Sequence, residues 1–157
     1  MDRDPPWNDP NWQRQIQRLL NSYARWVGTE LVDRSGTLEQ QAQRVFDAPF
    51  VIVSHGTQTD PILNSANAIA LHLWELPLEQ FLQTPSRQTA EPMHRDERAR
   101  MLEQTTKHGY IDDYQGIRIS STGRRFRIDR ATVWNVVDEQ GEPAGQAATF
   151  SEWVFLD

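Results

Sequence analysis

The chain contains no cysteine. That excludes disulfides, thiolate metal sites and any cysteinyl adduct to a flavin or other chromophore. It also lacks a long hydrophobic run: nothing approaches the roughly 18 apolar residues that a membrane-crossing helix requires. The opening residues, MDRDPPWNDPNW, hold no basic start followed by an apolar stretch. No secretory signal and no membrane partner are therefore expected, and a cytoplasmic location is favoured. Phosphate-binding glycine loops of the G-x-x-x-x-G-K-[ST] and G-x-G-x-x-G kinds are absent, as is the G-x-S-x-G nucleophile elbow. Positive charge is scarce too. The net charge is −6, whereas a nucleic-acid partner calls for a phosphate-neutralising basic face. The only dense basic run, Arg124, Arg125, Arg127 and Arg130, alternates with Phe126 and Ile128 and reads as the solvated face of a strand.

What is present suits one domain with an extension. The 157 residues are 38% hydrophobic and include six Trp, enough for a sizeable core. After a Pro- and Asp-rich start, Ile16, Leu19, Leu20, Tyr23, Trp26 and Val27 recur at helical spacing, with Asn11 as the expected cap and Gly28 as the end. Such an amphipathic helix must cover its own sheet or the same helix of a second subunit. A second helix is expected from about Thr37 to Asp47, ended by Pro49. Phe50–Ser54 reads as a buried strand, His55–Pro61 as a turn, and Ile62-Leu63 as a very short strand. Asn64 or Ser65 then caps a helix carrying Ala66, Ile69, Ala70, Leu73 and Trp74. A short helix follows at Leu78–Gln83, then, after the Thr84–Pro92 loop, a better one from about Met93 to Lys107. Tyr110–Ser120, Arg125–Asp138 and Ala144–Phe155 read as an antiparallel meander with turns at Ser121–Gly123 and Glu139–Glu142. Its apolar groups occur at both parities, so the sheet is expected to be covered on both faces.

This order is similar to the PAS fold, and three stretches resemble the MEKHLA domain more specifically. They are FDAPFVIVSHGTQTDPILNSANAIALHLWE, then PSRQTAEPM, then GYIDDYQGIRISSTGRRFRIDRATVWNVVDEQGEPAGQAATFSEW, together spanning about Val45 to Trp153. The Ser86–Pro92 and Tyr114–Ser120 runs carry most of the specificity. The resemblance implies an α+β, PAS-like five-stranded antiparallel sheet, with a short helical insert on one face and an N-terminal amphipathic helical extension. The boundaries drawn are a flexible N-terminus over 1–11, the extension over 12–47 and the PAS-like domain over 48–157. It also implies a stand-alone sensory or interaction module. In plants such a domain closes homeodomain–leucine-zipper transcription factors. This chain has no homeodomain, zipper or lipid-binding domain, so a DNA-binding role does not carry over.

The expected function is a non-enzymatic module that holds a small organic ligand between the insert and the sheet. The N-terminal helix would link occupancy to a homodimer or a protein partner. Ligand pockets are mostly apolar with a few placed polar groups. The candidate lining is Trp74, Phe81, Tyr114 and Trp134, with Asn64, Asn67 and Thr89 as polar contacts. Arg87 and Glu91 lie in the Pro-bounded loop, where Arg87 either clamps an anion or staples the loop to Glu91; Arg118 completes the set. The cofactor is not identified by any residue pattern. No H-x-x-x-H or H-E-x-x-H occurs among His55, His72, His94 and His108, and no metal site is expected. His94 and His108 stand about 20 Å apart on one helix, and haem ligation is disfavoured because helix-end histidines commonly answer the dipole. Two alternatives remain: an interaction domain with a filled core, and a small α+β cone enzyme needing an inward Asp113–His55 pair.

Overall fold

Asp9, not Asn11, caps the first helix, because Pro10 takes the first helical position where its missing N–H costs nothing. The Asp9 carboxylate accepts from the Asn11 N–H at 2.9 Å, and α1 (Pro10–Val27) runs to Gly28. A computed structural model describes residues 5–156. Of the N-terminus expected to be flexible, residues 1–4 lie outside the described residues. Pro6–Asn8 form a 3-10 turn that packs Trp7 against Phe46, ring centroids 5.2 Å apart. Thr37 and Gln40 close a reciprocal capping box at the start of α2 (Leu38–Phe46).

The remaining elements are β1 (Val51–His55), β2 (Leu63–Ala66), α3 (Ala68–Trp74), α4 (Leu78–Phe81), a 3-10 turn at Ser86–Thr89, α5 (Pro92–His108), β3 (Tyr110–Ile119), β4 (Arg125–Val137), β5 (Pro143–Phe150) and β6 (Glu152–Leu156). All pair antiparallel in the order β2-β1-β5-β4-β3. The sheet has five strand positions, as expected, but six strands. The last expected segment breaks at Ser151, and its halves lie along the same side of β4, with Asp129 opposite Glu152 and Thr132 opposite Thr149.

The break explains the mixed parity of β4. Arg130 adopts φ 54 between the two pairings, a bulge that inverts the alternation of side chains. Phe126 and Ile128 before it, and Ala131 after it, belong to one core, whereas Trp134 and Val136 belong to the other. One face of the sheet is covered by α1 and α2, through Ile16, Leu19, Leu20, Ala42 and Val45 against Ile52, Trp134, Val136 and Ala147. The other is covered by α3, α4 and α5. The apolar stripe of α1 thus covers its own sheet, which removes the motive for a second subunit on that stripe. Three of the four arginines of the basic run meet acids, Arg125 with Glu91 at 2.7 Å, Arg127 with Asp129 at 3.0 Å and Arg130 with Glu152 at 3.8 Å, while Arg124 lies over the Phe155 ring.

Candidate functional site

A cavity of about 70 Å³ lies between the helical block and the sheet. The strand alternation that follows from the bulge brings Val53, His55, Leu63, Ile128, Val133, Ala148 and Phe150 to it from the sheet. Trp74 and Phe81 reach it from α3 and α4, Ser86 and Thr89 from the 3-10 turn, and Arg98, Met101 and Leu102 from α5. Arg98, Met101 and Thr105 are the buried residues of α5, at the spacing that keeps them on one helix face. Gly116 makes room for Tyr114: a Cβ there would fall 2.3 Å from the Tyr114 hydroxyl oxygen.

Most of the wall is apolar, and its polar groups are linked. Arg98, only 8% exposed, donates to Ser86 Oγ. Arg118, 5% exposed, donates to the Ile117 carbonyl at 2.9 Å and to the Tyr114 hydroxyl at 3.1 Å, with its guanidinium also over the Tyr114 ring. Tyr114 in turn donates to Glu97 at 3.0 Å. Burial, then the nearby Arg118 charge, pushes the Arg98 pKa down to about 10. Burial also raises the Tyr114 phenol, opposed by Arg118. His55 Nδ1 lies 3.0 Å from the Gly56 carbonyl, which puts the neutral ring's proton on Nδ1 and leaves Nε2 as an acceptor. Burial, first, lowers the His55 pKa, and the Arg98 charge adds to it. His55 Nε2 and Trp74 Nε1 are buried with no hydrogen-bond partner among the described residues.

Five of the ten residues singled out from the sequence line the cavity: Trp74, Phe81, Thr89, Tyr114 and Arg118. The other five lie elsewhere. Trp134 is fully buried on the α1 face, where its indole N–H donates to the Leu19 carbonyl at 3.2 Å; the bulge at Arg130 puts Val133 toward the cavity in its place. Asn67 is the cap of α3, a role expected of Asn64 or Ser65, because β2 pairs with β1 as far as Ala66 before the helix begins. Its amide is fully engaged by backbone: Oδ1 accepts from Ile52 and Ala70, and Nδ2 donates to Phe50 and Val45. Asn64 accepts from Ser54 Oγ at 2.5 Å and from Gln15 of α1 at 3.4 Å, away from the cavity. Arg87 and Glu91 do not pair with each other: Arg87 meets Asp60 at 3.1 Å and Glu91 meets Arg125. Asp113 is exposed on β3 and lines no part of the cavity, so the Asp113–His55 pair of the enzyme alternative is not formed. Sequence reading missed Arg98, Ser86, His55 and Gln146 as lining residues. No group of three or more His, Cys, Asp or Glu among the described residues could hold a metal ion.

Comparisons with known proteins agree with this architecture. The family model of the MEKHLA domain matches residues 13–155. The homeobox-leucine zipper protein ATHB-9 of Arabidopsis thaliana is 28% identical over 147 residues, which are 90% of this chain but 17% of that protein. The chain therefore spans about a sixth of the curated relative it matches. Among solved structures, the PAS domain of a protein from Colwellia psychrerythraea superposes with a TM-score of 0.63 at 15% identity, covering 76% of this chain and 96% of that one. The light-state dimer of the fungal blue-light photoreceptor Vivid gives 0.57 at 13% identity, covering 85% and 93%. A light-oxygen-voltage domain studied with a flavin analogue gives 0.58 at 12%, covering 75% and 85%. These likenesses establish the fold.

Proposed function

The chain belongs to the MEKHLA domain family, and we propose that it works as a non-enzymatic sensory module whose input is a small molecule held between α5 and the sheet. The observation that carries this reading is the cavity between α5 and the sheet, apolar over most of its wall and furnished with buried, hydrogen-bonded polar groups. α5 is the element that occupancy would move. Of its 17 residues only Arg98, Met101 and Thr105 are buried, so it is held largely by polar contacts and can shift at modest cost.

Those contacts also supply a route outward. Gln146 donates to the Leu102 carbonyl at 3.1 Å and to Asn135 Oδ1 at 3.0 Å, and Asn135 donates to the Thr105 carbonyl at 3.0 Å. The Asn135 carbonyl accepts from the Trp26 indole of α1 at 3.0 Å. A displaced α5 would thus be felt on α1, whose outer, polar face is where a partner or second copy would read it. The test is to denature the purified protein, identify small molecules released by mass spectrometry, and follow hydrogen exchange in α5 with and without them. Protection of α5 amides by the released compound is the expected result. If nothing is released, and no small acid, amide or alcohol changes α5 exchange, the sensory reading fails. The small volume favours one other reading, an interaction domain whose cavity holds only water; that second outcome would select it.

A further inference from the structure

Two guanidinium groups, Arg98 of α5 and Arg118 of β3, line the cavity, and neither makes an ion pair among the described residues. Arg98 and Arg118 are each more than nine-tenths buried. Among the described residues, no carboxylate lies within 4 Å of either. The nearby acids are committed elsewhere. Asp60, which attracts Arg98, is gripped by Arg87, and Glu97 accepts from the Tyr114 hydroxyl. Arg98 donates only to Ser86 Oγ, leaving Nε and Nη1 unpartnered. A guanidinium has five N–H donors in a planar fork, and it stays charged at neutral pH. A buried charge persists only when something compensates it. Two buried charges of one sign lining one small cavity, with free donors on Arg98, therefore ask for an anion.

Resting on the reading of this cavity as a ligand site, we propose that it takes a short-chain aliphatic carboxylate, its head group held by Arg98 and Arg118 and its tail against Leu63, Phe81, Val133 and Ala148. The fork geometry matches a carboxylate through paired N–H···O bonds. The apolar remainder of the wall disfavours an inorganic oxyanion, which would leave polar oxygens against hydrocarbon. The volume sets the size. A cavity of about 70 Å³ is below what a six-membered ring needs and suits a molecule of a few heavy atoms.

Propionate and its neutral isostere propionamide test the charge without touching the fold. With the whole chain, propionate should raise the melting temperature and bind calorimetrically at least tenfold more tightly than propionamide, and inorganic phosphate should have no effect beyond ionic strength. Arg98→Met should lose the propionate response while leaving the ligand-free melting temperature unchanged or higher, since it removes a repelled buried charge. An arginine with a purely structural role would give the opposite, a lower melting temperature. Arg118→Gln should also weaken propionate at least tenfold. Should propionamide match propionate, or phosphate stabilise instead, the carboxylate assignment is overturned while the cavity remains a ligand site. If neither compound binds and no small molecule co-purifies, both readings fall. If Arg98→Met does not fold, the wild-type pair of probes still decides.

Discussion

Replacing Asn67 with Ala should cost this protein about 4 kcal/mol, although the side chain is a single small amide. Asn67 is 1% exposed and every polar atom of its side chain is used. Its Oδ1 accepts from the Ala70 N–H at 3.3 Å, the capping bond of α3, and loss of such a cap costs about 1 kcal/mol. The same oxygen accepts from the Ile52 N–H at 3.2 Å, and Nδ2 donates to the carbonyls of Phe50 at 2.7 Å and Val45 at 3.2 Å. Each of these three buried or part-buried backbone groups would lose a partner, at roughly 1 kcal/mol apiece. The sum is a large share of the ~5–15 kcal/mol by which a domain is stable. For a chain of this length it corresponds to a fall of about 8–16 °C in melting temperature. Urea denaturation with an unchanged m-value is the assay. Asn67→Ser, which can still cap, should recover about 1 kcal/mol of the loss. A loss below about 1.5 kcal/mol, or an Ala variant of normal stability that no longer binds a small molecule, would refute the structural role argued for Asn67 and return it to the cavity.

Acidification should weaken the fold through His55 before any carboxylate titrates. Its folded pKa lies below the ordinary 6.5, chiefly through burial. Its contribution is therefore complete above pH 6.5, and is lost as pH falls and the unfolded chain takes up the proton first. The depressed carboxylates, Asp33, Glu75, Asp129 and Glu139, start from 3.8 or 4.5 and act lower. Melting temperature should fall as pH drops below about 6.5, and His55→Gln should flatten the fall above the carboxylate range; an identical slope in the variant would dismiss His55 as the cause. Gly145→Ala should cost about 3 kcal/mol or more in urea denaturation. Gly145 holds φ 127, and a Cβ there would fall 1.9 Å from the His55 carbonyl oxygen across the β1–β5 pairing. Gly123→Ala, at φ 90 with nothing within 4 Å, should cost only about 1 kcal/mol; equal losses at the two sites would contradict the steric argument.

The helices and strands were legible because their signals are local. Periodic apolar residues marked α1 and α2, and turn residues marked the meander. The bulge at Arg130 was not legible, because φ 54 at an arginine leaves no trace in composition, and its effect is to swap which half of β4 faces which helix. That single inversion moved Trp134 from the expected cavity to the α1 core and brought Val133 in. Asn67 was misassigned for a related reason. β2 extends to Ala66 only because β1 pairs with it, a long-range interaction that shifts the helix start past Asn64 and Ser65.

The polar part of the cavity was the least visible, and the reason bears on what it does. Arg98 lies in a helix rich in charged residues, where one more arginine reads as solvated surface. A protein under pressure only to fill this core would place an apolar side chain at that position, since buried ionic groups replaced by well-packed hydrophobic ones often leave stability equal or greater. Phe81, Trp74 and Met101 around it show that the chain fills this region with apolar groups elsewhere. Arg118 repels Arg98, so the pair does not stabilise the ligand-free core by mutual attraction. Under the carboxylate proposal their joint burial is that of a site whose missing charge arrives from outside, and the hydrogen bonds from Gln146 and Asn135 to α5 are then the contacts that an arriving anion would tighten or release.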